Sequence, residues 1–265
     1  MRVRLDLVDR LKNRLGGNRG MKLATYNICH CENFEKWKEV NASTLNIART
    51  AEVIAEINAD IIGLNEVYTA GDREEFLVQE EKLAKLAGYP YYVFAQAKEY
   101  PWGTIGNAIL SKYPILNVKK ILVPAPIEAE RNPDETEWYE DRVLLCVEVK
   151  IGECRLWVIS SHFGLNPMEQ RRIIADVCKE IDDCGTVVIM GDFNALPNSE
   201  FLAPLYDRLK SAAKEMGNNE FTFASFEPYQ QIDYIFVPKT ARVKEYTVYK
   251  NHVSDHYPIS AEIEL

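Results

Sequence analysis

The chain has 265 residues, 47% of them hydrophobic, and a formal net charge of −9. That length and apolar content allow a large core in one domain, and no Pro/Gly/Ser-rich linker, low-complexity tract or internal repeat divides the chain. The acidic balance argues against holding nucleic acid by bulk electrostatics, because neutralising phosphates takes Lys and Arg. It leaves open nucleic acid held through a cation.

The first segment, residues 1–20, is basic: Arg2, Arg4, Arg10, Lys12, Arg14 and Arg19 outnumber Asp6 and Asp9, with Val8, Leu11 and Leu15 at helical spacing. No apolar h-region follows, so no secretory signal is read there. The segment is expected to be an extension, with residues 21–265 as a single domain. A basic amphipathic helix that touches a membrane or partner is the alternative. No apolar run reaches the roughly 18 residues of a membrane span, so a cytoplasmic protein without stable membrane association is expected.

From Lys22 the elements alternate. "LATYNI" predicts a strand, Ser43 to Asn58 a helix with Ile47, Ala51 and Ile54 on one face, and "DIIGLNEV" a buried strand. Arg73 to Ala87 predicts a second helix, stopped by Gly88. "YYVFAQA" and "NAILSKYPI" follow as strands, then Val143 to Lys150 and Cys154 to Ser160 as a hairpin across "IGE". Met168 to Asp182 is helical, Val187 to Met190 a strand, and a helix is expected near Phe201 to Ala212. "IDYIFV", "VKEYTVY" and "ISAEIEL" close the chain as strands. Strands outnumber helices, some linked as hairpins and others through helices, and two facing sheets with helices outside would absorb that count.

The six cysteines are too few for a disulfide scaffold and read as reduced thiols. Cys29-His30-Cys31 has one-residue gaps that suit zinc badly, and no second Cys/His pair follows, so a structural or incidental role is expected.

Polar residues recur at strand ends: Asn27 after "LATY", Glu66 after "IIGLN", His162 after "LWVISS", Asp192 and Asn194 after "VVIMG". Asp233 opens "DYIFV", and Asp255 and His256 precede the last strand. Taken singly, each could be a turn residue or a satisfied histidine. Together they are hard oxygen ligands that suit Mg²⁺ or Mn²⁺, with imidazoles able to move protons near neutral pH. That set suits hydrolysis of a phosphate ester.

"TYNI", "LNEV", "GNAILSKYPI", "SSHFGL", "GDFNALP", "IDYIF" and "SDHYPI" resemble, in order, the motifs of the endonuclease/exonuclease/phosphatase superfamily, the DNase I-like metal-dependent phosphoesterases. The resemblance runs from Lys22 to Leu265. It implies a four-layer α-β-β-α sandwich of two mixed sheets with helices outside, and one cleft at the strand ends. It implies Glu66, Asn27 and Asp255 as metal ligands and Asp192 as the residue that orients or deprotonates water. Asn194 and His256 would contact the phosphate, with Asp233 orienting His256. His162 is similar to an acid or phosphate ligand of the DNase I-like, sphingomyelinase and 5-phosphatase branches, and tilts the chain away from abasic-site repair. Asn107 and Arg142 resemble substrate-side positions, although Arg142 could equally pair with Glu140 or Asp141.

The expected activity is therefore Mg²⁺- or Mn²⁺-dependent phosphate-ester hydrolysis. A nuclease on DNA or RNA is the alternative, followed by a lipid phosphodiesterase and then a non-catalytic binding protein. A phosphate-ester substrate is the expected partner, with nucleic acid possible and no protein partner evident. The loops at 33–40, 100–104 and 124–141 are candidates for specificity, each with a tryptophan (Trp37, Trp102, Trp138) able to stack on substrate or anchor its loop.

Overall fold

A computed structural model describes residues 20–36, 45–69, 78–101, 103–131, 139–152 and 154–265. The basic N-terminal segment through residue 19, the three loop tryptophans, and the expected helix starts at Ser43 and Arg73 lie outside the described residues.

Among the described residues, twelve strands form two sheets of six. The first joins β1 (Met21–Asn27), β2 (Ile61–Thr69), β3 (Tyr91–Tyr100), β4 (Gly103–Ser111), β11 (Arg242–Val248) and β12 (Ile259–Glu264) in the order β11-β12-β1-β2-β4-β3. The second joins β5 (Ile115–Val123), β6 (Arg142–Ile151), β7 (Cys154–His162), β8 (Val187–Asp192), β9 (Leu209–Ser211) and β10 (Asp233–Pro238) in the order β5-β6-β7-β8-β10-β9. Each sheet is mixed, with one parallel pair: β1 with β2, and β7 with β8.

Three apolar clusters define the layers. Leu23, Ile61, Leu145, Val158, Met190 and Ile235 pack between the sheets. α1 (Ile47–Ile57) and α2 (Gln79–Ala87) cover the first sheet through Ile54, Ile57 and Leu83. α3 (Pro167–Cys184) and α4 (Ala203–Arg208) cover the second through Ile173, Val177 and Leu205. This is the expected α-β-β-α sandwich.

α3 starts where Pro167 sets φ and Asn166 Oδ1 accepts from the Met168 and Glu169 amides. α1 starts at Ile47, capped by Asn46, so Leu45 and Asn46 lie outside the helix expected from Ser43. The single strand expected across "NAILSKYPI" is β4, a turn at 112–114, and the start of β5. β5 was not foreseen, because this edge strand exposes Leu116, Val118 and Leu122 together with its polar residues and shows no alternation. The helix expected over Phe201 to Ala212 divides into a 3₁₀ turn, α4 and β9, with a short α5 (Ala212–Glu215) beyond. The chain becomes extended at Leu209, where φ is −124° and ψ 179°, so β9 can pair with β10. All six cysteines are free.

Candidate active site

The ends of both parallel pairs open on one edge of the sandwich. Ladder register does most of the placing: Asn27 pairs with Asn65, His162 with Asp192, and Asp192 with Asp233. Three expected site residues thus stand side by side on neighbouring strands. Gly191 makes this possible, because it holds φ at +147° and a Cβ there would sit 1.8 Å from the Ser161 carbonyl oxygen. Glu66 sits in a β-bulge between Leu64 and Val67 with φ at +55°. The bulge breaks the alternation of β2 and turns this carboxylate into the cleft.

Asp192 is the centre. It is 2% exposed, and Asn27 Nδ2 donates to its Oδ2 at 3.1 Å. His162 Nε2 and His256 Nε2 lie 3.4 and 3.6 Å from the same oxygen. Its Oδ1 accepts from the Asn194 amide at 2.9 Å, a turn that holds Asn194 at φ +45°. Asn194 Nδ2 donates to the Phe163 carbonyl and lies 3.3 Å from His162 Nε2. Behind Asp192, His256 Nδ1 is 2.9 Å from Asp233 Oδ2, both residues buried.

Burial pushes the Asp192 carboxyl up to about 7. Burial works against a charged His256, but the carboxylates of Asp233 and Asp192 prevail and carry it up to about 10. Burial and then the Arg142 charge push His162 down to about 3. His162 is therefore neutral at neutral pH, while His256 is an imidazolium.

Glu66 faces the other side. Asn27 Nδ2 donates to Glu66 Oε1 at 2.9 Å. Burial would raise this carboxyl, but His30 first, then the Asn27 hydrogen bond and the His256 charge, hold it at about 2. Asp255 is pushed up by burial, eased by His256, and pushed further by the negative charge of Glu66. Ser254 Oγ ties its loop to β1, 2.7 Å from the Asn27 carbonyl and 3.1 Å from Asp255 Oδ1. Glu66 and Asp255, two ionisable carboxyls that repel each other, suit a hard divalent cation. Asn27 turns its amide nitrogen toward Glu66, and one lone pair of its Oδ1 accepts from the Cys29 amide at 3.1 Å. Asp192, Asp233 and His256 also group closely enough for a cation, but the His256–Asp233 contact already occupies the facing atoms.

Arg142 opens β6 and lines the cleft with Glu66, Asn107, Glu140 and His162. Its Nε is 3.2 Å from Glu169 Oε1, and its Nη1 is 3.6 Å from Glu140 Oε2 and 3.4 Å from His162 Nδ1. Glu140 is thus one of its partners, as weighed from the sequence. The closer partner, Glu169, comes from α3 and was not foreseen. Glu169 reads in sequence as an acid suited to a helix N-terminus, yet it is 2% exposed and faces the site. Asn107 is also 2% exposed, and its amide bonds Asn65 and the Val143 carbonyl. Asn65 was missed as well: its Oδ1 accepts from the Asp192 amide at 3.0 Å, linking the two sheets directly beneath the site. On α3, Arg172 is held by Glu130, and Arg171 lies on the exposed face.

Comparison with known proteins agrees with this fold. The chain is 27% identical over 236 residues to an uncharacterized protein, YbhP, of Escherichia coli strain K12, covering 81% of this chain and 87% of that one. Among solved structures, an endonuclease/exonuclease/phosphatase from Beutenbergia cavernae superposes with a TM-score of 0.73 at 21% identity, covering 94% of this chain and 72% of that one. A mannosyl-6-phosphatase from Bacteroides thetaiotaomicron superposes with a TM-score of 0.70 at 16% identity, covering 92% of this chain and all of that one. The family model described as Endonuclease/Exonuclease/phosphatase family matches residues 24–256, nearly the whole sandwich, and the chain belongs to that family.

Proposed function

We propose that this protein is a Mg²⁺- or Mn²⁺-dependent hydrolase of phosphate esters that directs water in line onto phosphorus. The family's members are phosphoester hydrolases. The observation that carries the reading for this chain is the convergence of Asn27, His162 and His256 on one buried Asp192 oxygen.

Asp192, pushed up to about 7, is suited to orient a water and take its proton near neutral pH. His256, an imidazolium oriented by Asp233, offsets negative charge on the transferring phosphoryl group. His162 accepts at Nδ1 from Arg142, which leaves its proton on Nε2. It therefore acts as a neutral donor rather than as a proton-giving imidazolium. Asn194 presents its amide to the same phosphate. Arg142 binds a substrate oxygen while Glu169 and Glu140 hold its guanidinium in place, and Asn107 braces the cleft wall through Asn65. Glu66 and Asp255, with Asn27, would hold the divalent ion, which when bound polarises a phosphoryl oxygen and stabilises the leaving oxygen.

The cleft favours a small substrate over a polyanion. Its wall carries Glu66 and Glu140, and its cation Arg142 is already paired twice. The test is a panel of sugar phosphates, inositol phosphates, nucleotides, sphingomyelin, RNA and DNA, each with Mg²⁺ or with EDTA. Turnover of a small phosphate ester that EDTA abolishes is expected. Activity that survives in both Asp192→Ala and His256→Ala would overturn the mechanism, and a preference for DNA would overturn the substrate class.

A further inference from the structure

Cys29 and His30 leave the end of β1 through a 3₁₀ turn in which Cys29, His30 and Cys31 have φ of 41°, 58° and 67°. This backbone separates the three side chains. Cys31 is fully buried and packs with Tyr26, Ile54 and Ile57 under α1. Cys29 and His30 turn the other way, toward Glu66, and the Cys29 thiol also hydrogen-bonds Asp255. The unfavourable Cys-His-Cys spacing is thus irrelevant, because the third donor comes from β2.

The Cys29 Sγ, a His30 ring nitrogen and a Glu66 carboxylate oxygen all lie within 4.8 Å of one another. His30 Nε2 is 3.2 Å from Glu66 Oε2. Tetrahedral zinc with bonds of about 2.0 to 2.3 Å sets its ligand atoms about 3.3 to 3.6 Å apart. The nitrogen–oxygen edge is therefore already in place, and the thiol lies within 4.8 Å of a ring nitrogen and a carboxylate oxygen, about 1.2 Å at most beyond that span. The His30 ring is fixed flat against Tyr68, with centroids 3.9 Å apart and planes 10° from parallel. Its other nitrogen, Nδ1, is 3.2 Å from the Glu66 carbonyl oxygen. That is the outer hydrogen bond a metal-ligating imidazole makes, and it directs the Nε2 lone pair at Glu66 Oε2. Both ring nitrogens then face oxygen acceptors. A proton on Nε2 satisfies the second contact as an ion pair, and a cation between Nε2 and Oε2 can replace that proton.

We propose that Cys29, His30 and Glu66 form a site for a thiophilic divalent cation of the zinc type, with one coordination position left to water. The donors differ from the oxygen set proposed for Mg²⁺: a thiol, an imidazole and a carboxylate select zinc or cadmium over magnesium. On binding, the Cys29 S–H bond breaks, the proton passes to solvent and the sulfur–metal bond forms. Glu66 is common to both sites. Zinc at this position therefore withdraws Glu66 from Mg²⁺ and inhibits the hydrolase. Inhibition rests on the proposed function, whereas binding does not.

The experiment uses the full untagged chain. Cd²⁺ titration, followed by the ultraviolet thiolate-to-cadmium band, is expected to saturate at one equivalent. X-ray absorption of the Zn²⁺-loaded wild type is expected to show one sulfur with nitrogen and oxygen neighbours. Cys29→Ser is expected to remove the band. His30→Gln, which keeps every thiol, is expected to weaken Zn²⁺ binding by at least the roughly tenfold that loss of even an outer partner produces. A zinc shell with no sulfur, or with two or more, overturns the site whether or not the variants fold. Unchanged affinity in folded His30→Gln overturns it equally. If zinc binds with one sulfur and no phosphate ester is turned over under Mg²⁺, the site stands and the hydrolase reading fails. If zinc binds and does not compete with Mg²⁺ for activation, the sharing of Glu66 is wrong.

Discussion

The His256–Asp233 pair gives the most quantitative prediction. Asp233→Asn keeps the shape of the side chain and removes the charge that faces His256 Nδ1 at 2.9 Å. Raising His256 from 6.5 to about 10 corresponds to about 5 kcal/mol of preference for the imidazolium. That figure is shared with Asp192, and breaking one contact of a buried pair typically costs about 3 kcal/mol or more. For a domain of this size such a loss lowers the melting temperature by about 6 to 12 °C. The sign follows from linkage. The folded-state value lies above the unfolded one, so the contribution is fully present below 6.5 and is lost as pH rises through about 10. Thermal unfolding in EDTA should therefore separate wild type from Asp233→Asn widely at about pH 6 and bring them together above about pH 10.5. A gap that is absent, or that stays constant across this range, would refute the assignment of His256 as a carboxylate-held imidazolium.

Other perturbations test other contacts. Asp192→Ala and Asn194→Ala should each lower the rate about a hundredfold or more with the fold retained by circular dichroism. Mg²⁺ at a hundred times its dissociation constant should stabilise the wild type by about 2.7 kcal/mol in thermal unfolding, and Glu66→Gln with Asp255→Asn should abolish that gain. Arg142→Met should destabilise by about 3 to 5 kcal/mol by stranding buried Glu169, and adding Glu169→Gln should restore most of it in denaturant titrations. Gly191→Ala should lose more than about 3 kcal/mol, because its Cβ has no space beside Ser161 and its φ is strained.

Much of this site was legible in the sequence because its polar residues stand at or beside the ends of apolar strands. Asp192 follows Val187 to Met190, and His162 follows a run that ends in two serines. The motif set singled them out as candidates, and ladder register sets His162 and Asp192 side by side. What stayed hidden depends on geometry that has no local signal. Asn65 looks like one more residue of β2, and its bond to the Asp192 amide exists only because the sheets face each other there. Glu169 follows a helix cap and reads as a dipole partner, yet its helix turns it toward Arg142. Cys29 and His30 were discounted on spacing along the chain, whereas Glu66, from the next strand, completes their cluster. β5 escaped because an edge strand open to solvent needs no alternation.

The central claim is that water, positioned by Asp192, attacks phosphorus. It is tested most directly by turnover of a small phosphate ester with Mg²⁺ in water enriched in heavy oxygen, with the label traced by mass spectrometry. One labelled oxygen in the released phosphate and none in the alcohol is predicted, with turnover lost in Asp192→Ala. Label in the alcohol, or equal turnover by Asp192→Ala, would contradict it.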